Sequence, residues 1–271
     1  MPARRSRAIA LATALLFTFV VPVSASTPPP TFTVVDLFPG AGRSYAMDDS
    51  DTVVLGDYIF FGALGWLYRS NGDTTNVVFA HVGGAPQDLL SYDGWVYYSA
   101  GNADNGRELW RSNGTTTELI DDIYAGPDGS DPVPLIGVGD SLYFRATNGV
   151  DGYELWRVNT TTLMVGMVDD IEAGAGSSWP AYPVALGSYV YFSAFDTAHG
   201  NEIWRTNGVG AELVSDTHVG ADGAGTYYLA AVGDWVFFNA DDVVDGNVLW
   251  RSNGNDVEEI LDICPGADAC T

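Results

Sequence analysis

Hydrophobic positions in this chain fall into short runs separated by turns rich in Gly, Asn and Asp. The clearest stretch holds four such runs, at residues 132–138, 141–147, 153–159 and 162–171. Turn signals recur at intervals of roughly 8 to 12 residues, and the apolar positions do not follow a helical period. The pattern therefore predicts four short antiparallel strands in one sheet.

The second run of each such stretch is apolar at consecutive positions. The five copies are Ile59-Phe60-Phe61, Val96-Tyr97-Tyr98, Leu142-Tyr143-Phe144, Val190-Tyr191-Phe192 and Val236-Phe237-Phe238. Consecutive strand residues point to opposite faces, so both faces of each sheet must be covered. This favours sheets that pack on copies of themselves, as in a propeller or a solenoid.

A tryptophan-centred phrase in the third run sets the repeat length. It reads RELWRSNG, YELWRVNT, NEIWRTNG and NVLWRSNG, and a degenerate WLYRSNG carries Tyr68 in the tryptophan's place. The intervals from Tyr68 through Trp110, Trp156, Trp204 and Trp250 are 42, 46, 48 and 46 residues. Five units of about 46 residues with four strands each predict an all-β, five-bladed β-propeller. In that fold the tryptophans fill the space between blades.

Two local features refine this architecture. The Asn-Gly pairs at 71–72, 113–114, 207–208 and 253–254 predict two-residue hairpins between the third and fourth strands. Residues 31–40 resemble the fourth-strand segments and predict an extra N-terminal strand before the first blade. That strand either pairs with the last blade to close the ring or leaves an open edge.

The phrases YFRATNGVDGYELWRVN and VDDIEAGAGSSWP carry a family resemblance. They resemble the ELWxxDGT repeat family of secreted bacterial proteins, and the match covers residues 31–266. The chain differs from that family in two ways: it has Asn in place of Asp in the turn, and it lacks the lysine that usually precedes Asp-Ile. The resemblance implies an exported, propeller-like protein and transfers no catalytic residues.

The ends of the chain indicate export. Residues 1–25 combine Arg4, Arg5 and Arg7 with an apolar run and a small-residue cleavage site, which predicts a signal peptide. We expect residues 26–30 to form a proline-rich spacer and residues 31–271 to form a single propeller domain of five repeats. We expect a secreted, periplasmic or cell-surface protein without membrane insertion after cleavage. Cys264 and Cys270 either close a small C-terminal loop or remain free thiols.

The net charge of the chain limits the classes of partner that it can bind. The formal net charge is -24, from 35 acidic residues against 11 arginines. This balance argues against nucleic acid, because phosphate binding needs a basic surface. Cations, neutral ligands such as glycans, and basic proteins remain as partners, and the charge also serves solubility.

Polar positions recur on one predicted rim, where the loops between the second and third strands meet the crossovers to the next blade. The candidate ligand-binding residues are Asn102, Asn105, Asn148, Asp151, Asp196, His199, Asp242 and Asp245. The crossovers begin at Asp122, Asp170, Asp216 and Asp262, of which the first three are candidate metal ligands. Carboxylate and amide oxygens suit Ca²⁺, and the same residue types also form turns. Short loops in the first two blades predict a notch in this rim.

Enzyme motifs are missing from the sequence. The three histidines form no HExxH pattern, and neither a GxSxG elbow nor a phosphate-binding loop is present. We assign no catalytic residue and expect an exported binding or cell-surface interaction module, with glycans bound through the acidic rim. The alternatives are a structural module of an extracellular array and a propeller hydrolase.

Overall fold

A computed structural model describes residues 52–241 and 246–261 of the chain. These residues form five four-stranded antiparallel sheets, each built from four strands consecutive in sequence. Blade 1 contains β1 (Thr52–Leu55), β2 (Tyr58–Ala63), β3 (Trp66–Ser70) and β4 (Thr75–Ala80). Blade 2 contains β5 (Gly84–Tyr92), β6 (Trp95–Asn102), β7 (Gly106–Ser112) and β8 (Thr117–Leu119). Blade 3 contains β9 (Val133–Val138), β10 (Ser141–Thr147), β11 (Tyr153–Asn159) and β12 (Val165–Asp169). Blade 4 contains β13 (Ala181–Leu186), β14 (Tyr189–Asp196), β15 (Gly200–Thr206) and β16 (Glu212–Ser215). Blade 5 contains β17 (Tyr227–Val232), β18 (Trp235–Asp241), β19 (Asn247–Ser252) and β20 (Val257–Leu261).

The blades are arranged as a β-propeller. The first strands of consecutive blades contact each other, from β1 against β5 to β13 against β17, which places the first strand of each blade innermost. The predicted five-bladed fold is confirmed. The signal segment 1–25, the spacer 26–30, the extra strand 31–40, Cys264 and Cys270 lie outside the described residues.

Apolar packing joins each blade to the next. The described residues form four apolar clusters, and each draws side chains from two consecutive blades. Trp110 is 8% exposed and packs with Phe60 and Leu67 of the preceding blade. Trp156, Trp204 and Trp250 take the equivalent places in the other three clusters. The predicted role of the tryptophans between blades is therefore confirmed.

The turns between the third and fourth strands differ from the prediction. Ser70 pairs with Thr75, so four residues separate the strands of blade 1, and the predicted two-residue hairpin is wrong. Asn71 Oδ1 accepts hydrogen bonds from the N–H groups of Asp73 and Thr74. The same arrangement recurs at Asn113 and Asn253. The asparagine side chain stabilises an Asx turn, and Gly72 supplies the positive φ, 91°, that the turn requires.

The arginine after each tryptophan also has a structural role. Arg111 lies 4.0 Å from the centroid of the Trp95 ring and donates to the Thr160 carbonyl in the following blade. Arg205 repeats this over Tyr189, with the Gly254 carbonyl as acceptor. Both arginines also pair with a glutamate on the neighbouring strand, Glu118 or Glu212. The repeated arginine thus fastens one blade to the turn of the next.

Buried glutamates hold the crossovers between blades. Glu108 is fully buried and accepts hydrogen bonds from the N–H groups of Ile123, Tyr124 and Ser130 and from the Ser130 hydroxyl. Glu154 and Glu202 make the equivalent contacts to the next two crossovers. Burial raises the pKa of Glu108 and of Glu154 to about 7, although these hydrogen bonds act in the opposite direction. The repeated glutamates therefore satisfy buried backbone N–H groups of the crossovers.

Residues 52–241 and 246–261 contain no helix with the length and apolar character needed to cross a bilayer.

Candidate functional site

One edge of the propeller gathers the loops that the sequence singled out. We call this edge the loop rim: it comprises the loops between second and third strands and the crossovers to the following blade. Gly106 lies against Gly129, and Gly200 lies against Gly223, so loop and crossover touch in successive blades. A Cβ on Gly152, whose φ is 70°, would lie 1.5 Å from the Gly176 carbonyl oxygen. Only glycine fits this close approach.

The predicted ligand-binding residues lie on this rim as pairs within each loop. Asn102 Nδ2 donates to Asn105 Oδ1 at 3.1 Å. Asn148 Nδ2 donates to Asp151 Oδ2 at 2.8 Å, and its Oδ1 accepts from two backbone N–H groups. These contacts shape the loops, and the ligand-binding role of the residues stays a prediction. Asp242 and Asp245, of the fifth blade, lie outside the described residues.

In the fourth blade, the equivalent pair consists of an aspartate and a histidine. Asp196 Oδ1 accepts the His199 backbone N–H at 2.6 Å, and Asp196 Oδ2 lies 2.7 Å from His199 Nδ1. The hydrogen bond to Asp196 raises the pKa of His199, with smaller contributions from the charges of Asp216 and Glu202. This loop therefore carries a histidine that stays protonated to a higher pH than an ordinary one.

The three candidate metal ligands occupy equivalent places at the start of each crossover. Asp122, Asp170 and Asp216 each have a buried Oδ1 atom without a hydrogen-bond partner among the described residues. Burial raises the pKa of Glu154 and of Glu202, and the charges of Asp170 and Asp216, respectively, raise them further. Within the part of the chain that the structure describes, no three His, Cys, Asp or Glu side chains converge on one point. Ca²⁺ binding at these aspartates stays a prediction.

The loop rim is lower at blade 1. Only Leu64 and Gly65 separate β2 from β3, whereas five residues separate β10 from β11. Leu64 adopts a φ of 57° and is 43% exposed. The short loop follows the spacing expected from the sequence, and its role as a ligand entrance stays a hypothesis.

Sequence reasoning missed an aromatic cluster on the same rim. Tyr182 lies 5.8 Å from Tyr227 and 5.5 Å from Tyr228 between ring centroids. The three side chains are 41%, 43% and 76% exposed, respectively. Tyr182 and Tyr228 occupy left-handed backbone with φ of 52° and 56°, where bulky residues are rare. The available signal was the presence of three tyrosines at the starts of innermost strands, next to polar crossovers.

Comparisons with known proteins identify the fold. No family model matches the chain, and no curated protein matches it. A solved puromycin hydrolase is similar over 82% of this chain and 38% of its own, at 12% identity and a TM-score of 0.51. A prolyl endopeptidase is similar over 78% of this chain and 33% of its own, at 11% identity and a TM-score of 0.50. A TolB of Agrobacterium tumefaciens, described as putative, covers 77% of this chain and 78% of its own, at 14% identity and a TM-score of 0.42. This chain spans 33% of the prolyl endopeptidase and 38% of the puromycin hydrolase. At these identities the likeness to these two proteins is one of fold alone.

Proposed function

We propose that the protein is an exported binding module that holds glycans on its loop rim. The observation that supports this proposal is the exposed cluster of Tyr182, Tyr227 and Tyr228. Tyrosine rings offer an apolar face for the C–H groups of a sugar ring and a hydroxyl for its polar edge. The net charge of -24 argues against nucleic acid as the partner and leaves glycans as candidates.

The backbone of this cluster also favours a binding role. Tyr182 and Tyr228 are held at positive φ by irregular pairing of β13 with β14 and of β17 with β18. A bulky residue in left-handed backbone costs on the order of 1 to 3 kcal/mol, and such residues concentrate at ligand sites. Burial does not compensate this cost at Tyr228, which is 76% exposed. The equivalent position in blade 2 holds Asp88 with a φ of 53°, so the bend recurs in the repeat, and an exposed tyrosine at this bend is the feature that a binding role would explain.

The polar loops supply the second half of the proposal. Sugar hydroxyls need acceptors and donors, and the carboxylates and amides of Asn148, Asp151 and Asp196 lie on the same rim. Repeated sites of modest affinity on one rigid ring strengthen binding to a polymer through multivalency.

Binding to a glycan array, followed by titration of the strongest ligand, tests the proposal. We expect Tyr228→Ala to weaken that binding at least tenfold and Asp151→Ala to weaken it by a smaller factor. The matched control is Met164→Ala, because Met164 is 74% exposed but lies on the opposite edge, between β11 and β12. A protein that binds no glycan would favour the structural-module alternative.

A further inference from the structure

The loop rim also contains a pocket lined by charged residues, where blades 2, 3 and 4 meet. It has a volume of about 270 Å³, and its lining includes Arg107, Arg145, Tyr153 and Trp179. This volume lies just below the roughly 300 Å³ at which pockets for drug-sized ligands begin, so it suits one small unit of a larger ligand.

The repeat does not account for the two arginines of this pocket. Residues 52–241 and 246–261 contain seven arginines, and five of them follow the tryptophan or tyrosine of the repeated phrase. Those five are Arg69, Arg111, Arg157, Arg205 and Arg251. The other two, Arg107 and Arg145, both line the pocket. In a chain without lysine, this pairing of cations in one cavity is the feature to explain.

The positions equivalent to Arg145 carry small or neutral residues in the other blades. Arg145 pairs with Leu155 in its sheet, and the residues in the same register are Gly62, Ser99, Ser193 and Asn239. The equivalents of Arg107 are Tyr153, Asn201 and Asn247, since each lies three residues before the tryptophan. The scaffold therefore folds without an arginine at either place.

Arg145 lacks an acceptor for one of its donors. Its Nε is buried and has no hydrogen-bond partner in the described structure. Burial lowers the pKa of Arg145, and the charges of Asp88 and Tyr153 only partly offset this. The Arg145 guanidinium lies 5.3 Å from the centroid of the Trp179 ring, and an anionic ligand in the pocket would pair with this group.

Arg107 is more fully bonded. Its Nη1 donates to the carbonyls of Ala85 and Ser99 at 3.1 Å, and its Nε lies 4.0 Å from Asp131 Oδ1. It therefore stands as a fixed positive charge at the wall of the pocket.

An aromatic pair forms another wall. Tyr153 and Trp179 stack with ring centroids 4.6 Å apart and an interplanar angle of 19°. Trp179 is 51% exposed and has a φ of 48°. Its equivalents at the crossovers into blades 3 and 5 are Asp131, with a φ of 45°, and Gly225, with a φ of 56°. Blade 4 thus begins with a large ring at a position whose backbone favours glycine, which is a feature of ligand sites.

We infer that this pocket binds a carboxylate-bearing sugar unit, such as a uronic acid within a polysaccharide. The arginines pair with the carboxylate, and the exposed part of Trp179 packs on the sugar ring. Gln87, Asp88 and Asp131 line the same pocket and accept or donate to sugar hydroxyls. A peptide carboxylate would use the arginines but leave these hydroxyl partners without a role. This inference rests on the proposed glycan-binding function and names its ligand class.

The test is calorimetric titration of the whole mature protein with defined oligomers. The probes are trimers of galacturonic, glucuronic and mannuronic acid, the methyl ester of trigalacturonic acid, maltotriose, and the peptide Gly-Gly-Phe. We expect at least one uronic acid trimer to bind, and masking its carboxylate as the ester to weaken binding at least tenfold.

Two variants and a control separate binding from folding. Arg145→Gln and Trp179→Gly are each expected to weaken the binding of that trimer at least tenfold. Trp179→Gly relieves the left-handed backbone but also removes the stack on Tyr153 and the contact with Arg145, 5.3 Å from the ring centroid, so its melting temperature is measured to show that the variant is folded. Arg251→Gln, in the repeated arginine position, is expected to leave binding unchanged.

Several outcomes overturn the inference. The inference is wrong if no acidic trimer binds, or if the methyl ester binds as tightly as the free acid. It is also wrong if Arg145→Gln binds as tightly as the wild type, or if Gly-Gly-Phe is the one probe that binds. If neutral glycans still bind through Tyr228, the pocket assignment fails while the proposed function stands. If no glycan of either kind binds, both fail.

Discussion

The carboxylate of Glu108 on β7 accepts hydrogen bonds from both the backbone N–H and the hydroxyl of Ser130, which lies just before β9. Glu154 and Ser178 repeat this pairing one blade later. A side chain of one blade therefore sets where the next blade begins. In blade 4, Glu202 holds the N–H of Ala224 without a hydroxyl partner.

Removing this carboxylate should destabilise the fold. Glu108→Ala leaves the N–H groups of Ile123, Tyr124 and Ser130 without their acceptor, so we expect a loss of about 3 kcal/mol or more in unfolding free energy. Urea unfolding measures this loss. Glu118→Ala is the control, because Glu118 is a partly exposed partner of Arg111 and should cost less than about 1 kcal/mol. Equal losses in the two variants would contradict the structural role given to Glu108.

The same glutamates predict how stability depends on pH. The pKa of Glu108 and that of Glu154 rise from the ordinary value of 4.5 to about 7 in the folded protein, so the folded state binds more protons than the unfolded state between these values. Stability should therefore be highest near pH 4.5 and fall as the pH rises to about 7. By this difference, Glu108 and Glu154 each contribute on the order of 3 kcal/mol to this fall.

The variant Glu108→Gln separates the titration of Glu108 from general charge repulsion, because repulsion among the other acidic residues also lowers stability as the pH rises. The variant should flatten the stability profile between pH 4.5 and about 7 relative to the wild type, as measured by urea unfolding across that range. An unchanged slope would show that Glu108 titrates with an ordinary pKa.

The tryptophan between blades 3 and 4 should dominate local packing. Trp204 is 9% exposed and packs with Tyr143, Leu155 and Phe192. We expect Trp204→Ala to cost about 3 to 5 kcal/mol through lost contacts and a cavity. Trp66→Ala, at a position that is 43% exposed, serves as the control and should cost much less. Chemical denaturation with intrinsic fluorescence measures both.

His199 should titrate above its ordinary pKa of 6.5, because Asp196 stabilises the protonated ring. Histidine proton chemical shifts followed by NMR measure this value. Asp196→Asn should lower the pKa of His199 toward the ordinary value. An unshifted titration in the wild type would mean that the two side chains do not interact in solution.

Calcium should raise the melting temperature if the aspartates at the crossovers bind it. The buried Oδ1 atoms of Asp122, Asp170 and Asp216 provide acceptors that a cation would use, and ligand binding to the folded state raises stability by mass action. We expect millimolar Ca²⁺ to raise the melting temperature relative to EDTA, and Asp170→Asn to reduce that rise. A melting temperature that ignores Ca²⁺ would remove the metal hypothesis.

The sequence predicted the blades well because its signals were repeated and local. The apolar second strands and the spacing of Trp110, Trp156 and Trp204 led directly to sheets packed on sheets. The turn length was wrong because Asn-Gly fits more than one turn. The choice depends on Asn71 Oδ1 accepting two N–H groups, which residue type alone does not reveal.

The candidate site was harder to predict. Alignment of the repeats placed Asn148 and Asp151 on the rim, but it could not show that they bond to each other. It also gave no reason to expect Tyr228 or Trp179 to be exposed. Their exposure depends on left-handed backbone at the starts of the innermost strands, and local residue patterns do not encode that geometry.

Each buried glutamate contacts the crossover that leads to the next blade. The packed structural unit therefore extends beyond the boundaries of the repeat seen in the sequence. A fragment that contains blade 3 alone would keep Glu154 but lose the strand of Phe192 in blade 4, which packs against blade 3. It would also lose Tyr97 of blade 2, which packs with Trp156. An isolated blade is therefore not a minimal domain. Engineering that grafts or deletes a blade must transfer the crossover on its far side as well.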